Sequence, residues 1–166
     1  SSSSAQHPVV TYAAPGTYTV SLTVSNAGGS DTHTKSDYIF VTISYCTSSG
    51  TASTEWIATV SLDGVANNSG SSGIAGYQDF TSNTFSLTSG TTVPMQLVPG
   101  FSGRAQRETW RVWIDLNADG DFEDSGELMA SVAKTKNAVN TSITIPAGVL
   151  TTTRMRVSMR RNSPAD

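Results

Sequence analysis

Apolar and polar residues alternate with a period of two along most of the chain. Between Gly16 and Val24 the sequence reads G-T-Y-T-V-S-L-T-V, which sets Tyr18, Val20, Leu22 and Val24 on one face and Thr19, Ser21 and Thr23 on the other. Successive side chains of a strand point to opposite sides, so this pattern predicts a half-buried strand. Pro15-Gly16 before it and Asn26-Ala27-Gly28-Gly29 after it supply turns. Thr32–Ile43 predicts a second strand, with Tyr38, Phe40 and Thr42 opposed to Ile39, Val41 and Ile43. Two strands do not make a stable domain by themselves. They need further strands, or a surface to pack on.

A stretch rich in Ser, Thr and Gly at Ser44–Ser53 marks a boundary, and the chain divides into residues 1–43 and 44–166. Beyond it Glu55–Leu62 predicts a strand, and Asp63–Gly76 reads as a long Gly/Ser/Asn segment. Thr84–Leu87 and Thr91–Val98 predict a hairpin around Ser89-Gly90, with Pro94 favouring a sheet edge because proline lacks the N–H a ladder needs. Glu108–Ile114 has Trp110, Val112 and Ile114 on one face and Arg111, Trp113 and Asp115 on the other. Gly126–Lys134 reads as a short strand or a turn, and Ala138–Ile145 and Thr152–Met159 as strands. No stretch has a convincing 3.6-residue period. Many short strands separated by turns predict an all-β chain and a β-sandwich.

Composition narrows the function classes. Among the 166 residues, charged types make up 14% and the formal net charge is −3, so a nucleic-acid partner has no global electrostatic support. No run approaches the roughly 20 apolar residues of a membrane span, so no insertion into a membrane is expected. Low charge with abundant Ser, Thr, Val and Gly is common in secreted bacterial β-domains, and the expected location is secreted or cell-surface. Cys46 is the single cysteine. It reads as a small buried hydrophobe, or as half of a disulfide whose partner lies outside this sequence. A catalytic thiol has no supporting histidine. Ser1–Gln6 looks like part of a linker, with neither Met nor a basic leader.

The chemistry concentrates in D-L-N-A-D-G-D-F-E-D-S-G-E, Asp115–Glu127. Oxygen-bearing side chains recur at the first, third and fifth places, and glycine stands sixth. Calcium takes six to eight hard oxygen ligands from a loop that wraps it, and Gly120 permits the reversal. The expected ligands are Asp115, Asn117 and Asp119, with Asp121 offering its carbonyl and Asp124 or Glu127 closing the site. Glu127 falls one place later than the closing glutamate of an EF-hand, and the loop leaves a strand rather than a helix, so the closure must differ. The alternative is an acidic turn without metal. Against it, six carboxylates in one short loop repel one another unless a cation joins them. Magnesium prefers fewer protein ligands, and zinc lacks nearby His or Cys.

No Ser-His-Asp spacing appears, and the carboxylates that would suit a glycosidase cluster where metal accounts for them. His7 and His33 read as solvent-facing, and no enzymatic activity is expected. Arg154, Arg156, Arg160 and Arg161 form either a solvated face paired with acidic residues across the sheet or a patch for anionic polysaccharide. Among Trp56, Tyr77, Trp110 and Trp113, Trp110 is expected in the core. Trp113 lies on the opposite face and is the better candidate for exposure and for stacking on sugar rings.

Two resemblances organise these readings. His7–Val41, with the pattern Y-x-x-P-G-x-Y-x-V-x-L-x-V-x-N from Tyr12 to Asn26, resembles the C-terminal half of a PKD-like domain. Tyr45–Asp166 resembles the GEVED domain of secreted bacterial proteases and surface proteins. The second resemblance rests on Tyr45-Cys46, Glu55-Trp56-Ile57, Asn67-Asn68-Ser69-Gly70 and Tyr77-Gln78-Asp79-Phe80-Thr81. It also rests on Trp113–Asn117 with Asp119–Phe122, on Gly126-Glu127 and on Arg154–Val157. The Gly-Glu-Val-Glu-Asp motif that names the family, and its usual second cysteine, would fall after Arg161. Both ends are therefore expected to be cut, with the partner of Cys46 in the missing piece. The fold expected with these resemblances is immunoglobulin-like β-strands followed by a calcium-binding antiparallel β-sandwich. The resemblance implies a non-catalytic accessory module, and with no catalytic group in view the expected function is an extracellular module for adhesion or substrate targeting of a secreted bacterial protein. A polysaccharide-binding module contacting ligand through Trp113, Arg154 and Arg156 is one alternative. A spacer or filament unit that self-associates by strand exchange is the other. The partner is a polysaccharide or an extracellular protein.

Overall fold

A computed structural model describes residues 2–12, 15–51, 53–71, 76–149 and 152–161. The chain forms two compact units, Ser1–Tyr45 and Cys46–Asp166. All the sheets are antiparallel, and no helix occurs among the described residues.

The first unit is a hairpin of β1 (Gly16–Asn26) and β2 (Gly29–Val41). Asn26 pairs with Gly29 across the Ala27-Gly28 turn, where Gly28 N–H donates to Asn26 Oδ1 at 2.7 Å. The register slips between Tyr18 and Val20, where Asp37 takes a positive φ of 52°. One face carries Val20, Leu22 and Val24 directly opposite Lys35, His33 and Asp31. The other carries hydroxyl pairs, Ser21 with Thr34 at 2.9 Å and Thr23 with Thr32 at 2.8 Å. Leu22 is 65% exposed and Phe40 74%.

The second unit is a two-layer sandwich. One sheet orders β4 (Val65–Asn68), β3 (Glu55–Leu62), β5 (Thr92–Phe101) and β8 (Val139–Thr144). The other orders β7 (Leu128–Thr135), β6 (Glu108–Ile114) and β9 (Met155–Arg161). The register aligns the apolar positions. Val60 and Leu62 of β3 face Leu97 and Met95 of β5, and Val93 faces Ile143 of β8. In the second layer, Trp110, Val112 and Ile114 lie opposite Met159, Val157 and Met155. These residues form one core. Burial of this kind contributes about 25 cal/mol per Å² of apolar surface removed from water.

Three local expectations are corrected. Thr84–Leu87 is not a strand. Both edges of β5 are taken, by β3 and β8, so no ladder is left for it, although Phe85 and Leu87 pack against the core. Pro94 stands in the interior strand β5 rather than at an edge. It lies one residue beyond the last β3 pair, Leu62 with Met95, where its carbonyl accepts the Asp63 N–H at 2.9 Å; the bond lost is the return one, from residue 94 to the Asp63 carbonyl. The Asp63–Gly76 segment opens with a strand, β4. Asp63 and Gly64, with φ of 49° and 79°, make the tight turn between Leu62 and Val65, as Asp-Gly does in two-residue hairpins.

Candidate metal centre

Strand β6 delivers the acidic loop. Its last residue, Ile114, donates to the Glu127 carbonyl at 3.0 Å, and Asp115 N–H donates to the Arg154 carbonyl at 3.1 Å. The loop is thus closed at its base and tied to the start of β9. Ala118, Gly120 and Gly126 have positive φ of 59°, 101° and 98°, which folds the chain back on itself.

Five of the loop's six carboxylates divide into two sets. Asp115 and Glu127 are buried. Asp115 Oδ1 accepts from the Ala118 and Asp119 N–H groups at 2.6 and 3.3 Å, and Oδ2 from Gly120 N–H at 3.0 Å. Glu127 Oε1 accepts from Leu116 N–H at 2.8 Å and Oε2 from Asp124 N–H at 3.3 Å. Burial pushes the Glu127 carboxyl above the ordinary carboxylate range. The two N–H groups pull it down, and Asp115 and Asp124 push it up. The second set, Asp119, Asp121 and Asp124, is exposed, with one oxygen of each within 4.8 Å of the others. Asn117 Nδ2 lies 2.9 Å from Asp119 Oδ2 and 2.6 Å from Asp124 Oδ2, where positive charge is favoured. Asn117 Oδ1 accepts Asp119 N–H at 3.1 Å, and Asp121 N–H donates to Asp119 Oδ1 at 3.2 Å.

Of the six expected metal-site residues, the structure gathers the side chains of Asp119, Asp121 and Asp124 and sets the Asn117 amide against two of them. Asp115 and Glu127 have turned inward to hold loop backbone. The Asp121 carboxylate, expected to stand aside from its carbonyl, belongs to the cluster. The donor set is hard oxygen throughout, which fits calcium and does not fit zinc.

Trp113 is 9% exposed, against the expectation of an open ring. It lies on the outer face of β6 directly opposite Arg156 of β9, and Arg156 is itself covered by Phe122 and Cys46. The Arg156 guanidinium carbon sits 4.6 Å from the Phe122 ring centroid; Nη2 donates to the Cys46 carbonyl at 2.8 Å, and Nη1 lies 3.2 Å from Cys46 Sγ. Cys46 is an exposed free thiol rather than a buried hydrophobe. Arg154, Arg160 and Arg161 are exposed. Trp110 is wholly buried in the core.

Sequence reasoning gives Glu108 no role beyond that of one more carboxylate just upstream of the loop. It is fully buried on the core face of β6, two residues before Trp110, and neither carboxylate oxygen has a hydrogen-bond partner among the described residues. Burial, then the Glu55 charge, holds its carboxyl above the ordinary range, and Arg161 opposes them. Its place at the start of an apolar alternation, where an inward position is occupied by a carboxylate, is the signal that could have found it.

Comparison with known proteins gives two family matches. Residues 1–41 match the PKD domain and residues 109–166 the GEVED domain. No curated protein and no solved structure matches the chain. Both domains are non-catalytic accessory modules typical of extracellular or surface proteins, and the chain carries a PKD domain segment followed by a GEVED domain segment.

Proposed function

We propose that this chain is a calcium-binding accessory module of a secreted or surface-displayed bacterial protein, serving adhesion or substrate targeting rather than catalysis. The observation that carries the metal reading is the convergence of Asp119, Asp121 and Asp124, with oxygens within 4.8 Å of one another on a loop whose base is closed by strand hydrogen bonds. Calcium would be held by those carboxylates, and by Asn117 once its amide turns to present Oδ1. The ion supplies neutralisation of a loop that otherwise concentrates like charge. Its role is structural: it stabilises the join between β6 and β7.

A ligand that binds only the folded state adds RT ln(1 + [L]/Kd), about 2.7 kcal/mol at a hundred times Kd. Melting in calcium is therefore expected to exceed melting in chelator, and the triple change Asp119→Asn, Asp121→Asn, Asp124→Asn is expected to remove the difference. Identical wild-type curves refute the metal reading. Targeting is tested separately by pull-down on insoluble polysaccharides and collagen, with and without calcium; retention on none of them reduces the module to a spacer. Polysaccharide contact through Trp113 and Arg156 has less support, because that ring is nearly covered and that guanidinium already has three partners.

A further inference from the structure

We infer that Arg156 is a positioning residue for the acidic loop, acting as a planar clamp on Phe122 rather than as a counter-ion to the carboxylates; this rests on the metal reading above. Among the described residues its guanidinium meets a carbonyl, a thiol and a ring face, and none of these is a carboxylate. The Cys46 carbonyl at 2.8 Å and Sγ at 3.2 Å fix the plane of the guanidinium from one side. That plane then meets Phe122, with its carbon 4.6 Å from the ring centroid. Arginine suits this use, since its fork offers several donors in one plane and stacks on aromatic faces, whereas lysine is a point charge on a flexible stem.

The position of Phe122 gives the clamp its consequence. Phe122 lies between Asp121 and Asp124, two of the three converging carboxylates. Asp119 is located by its N–H on Asp115, and Asp124 by its N–H on Glu127. Asp121 follows Gly120, whose φ is 101°; its N–H donates to Asp119 Oδ1 at 3.2 Å and its own Oδ1 accepts the Glu123 N–H at 2.8 Å. Phe122 is the residue that this Glu123–Asp121 bond spans, and it is held by Arg156. Cys46, β9 and the acidic loop are thereby joined through one side chain, and the spacing of Asp121 from Asp124 depends on it.

Outer partners that orient metal ligands typically contribute 10–100-fold to metal affinity. Calcium titrated calorimetrically into the reduced full chain is expected to bind Arg156→Ala and Arg156→Lys about 10-fold or more weakly than wild type. Failure of lysine to rescue is the outcome that a counter-ion role would not give. Phe122→Leu is expected to weaken binding by the same factor, and the double variant Arg156→Ala, Phe122→Leu to be no weaker than either single change, because both remove one contact. Should Arg156→Ala not fold, Phe122→Leu carries the test. Wild-type affinity in Arg156→Lys or Phe122→Leu, or additive losses in the double variant, overturns the clamp. Absence of calcium binding by the wild-type chain overturns the metal reading itself, and is distinguished by that.

Discussion

Strands β1 and β5 both place an apolar residue at every second position: Val20, Leu22 and Val24 in one, Val93, Met95 and Leu97 in the other. In β5 the alternation becomes strict burial, with Leu97 at 0% exposure. In β1 the same alternation leaves Leu22 at 65%. Propensity and register do not separate the two, since both strands pair well. What separates them is a second layer. Strand β5 faces the Trp110–Val112–Ile114 stripe of β6 across the sandwich, whereas among the described residues of its own unit β1 pairs with β2 and with no second layer. The polar residues on each apolar face follow suit. Asp31, His33 and Lys35 remain in water opposite the β1 stripe, whereas Glu108 goes fully inside. A period of two thus defines a face, and the opposing layer decides whether that face leaves water.

The sharpest way to break this contrast is truncation. Leu97→Ala is expected to cost about 2–5 kcal/mol, read from urea unfolding by tryptophan fluorescence, since all three tryptophans lie in the sandwich. Leu22→Ala is expected to change hairpin stability by no more than about 0.5 kcal/mol, read from amide exchange along β1. Loss of β1 protection on the scale of the Leu97 change would mean that the hairpin face is covered in solution.

A smaller effect probes packing at the far end of β5. A Cβ added at Gly100 would come within 2.3 Å of Trp56 Cε2 and Nε1, so the indole lies directly on the glycine of its cross-strand partner. Gly100→Ala is expected to destabilise by about 1–3 kcal/mol in the same unfolding assay. A neutral result would show that the ring is free to move.

The smallest effect is the pH slope from Glu108. Its folded-state carboxyl is raised, so the folded chain keeps the proton where the unfolded chain has lost it. Stability from this group is full below the ordinary glutamate value, about 4.3, and declines as pH rises from there through the folded value. Glu127 is raised as well and acts in the same sense, while Asp79, lowered chiefly by the Thr81 backbone N–H, acts in the opposite sense at lower pH. Glu108→Gln keeps the shape and is expected to flatten the decline measured by unfolding in chelator between about pH 4 and pH 8. An unchanged slope would remove Glu108 from the account.

Much of the fold is legible because burial follows the alternation. Glu55–Leu62 coincides with β3, and the apolar positions of Glu108–Ile114 and of Met155, Val157 and Met159 all reach the core. What was not legible depended on neighbours remote in sequence. Thr84–Leu87 has the composition of a strand, but β3 and β8 arrive from far along the chain to fill both sides of β5. Trp113 reads as outward, and it is outward, yet it is nearly buried, with Arg156 opposite it and Phe122 and Cys46 against that guanidinium. The Asp63-Gly64 turn was legible and passed over, because it sits inside a longer run of turn-forming residues. At the acidic loop, spacing locates the oxygen-rich segment. It does not say which carboxylates turn inward to the backbone. That division depends on the positive φ of Ala118 and Gly120 and on the burial of Asp115 beneath them.

Pro94 bears on how the molecule avoids its own kind. Strand β3 stops short of the first residues of β5, so Thr92–Pro94 presents a notch of backbone on that side. An incoming strand from another copy would find there the ladder that seeds edge-to-edge aggregation. Pro94 has no N–H to offer at the mouth of that notch, and its carbonyl is already taken by Asp63. A residue that leaves one bond of the β3–β5 ladder unmade therefore also leaves no N–H at that point for a second chain to pair with.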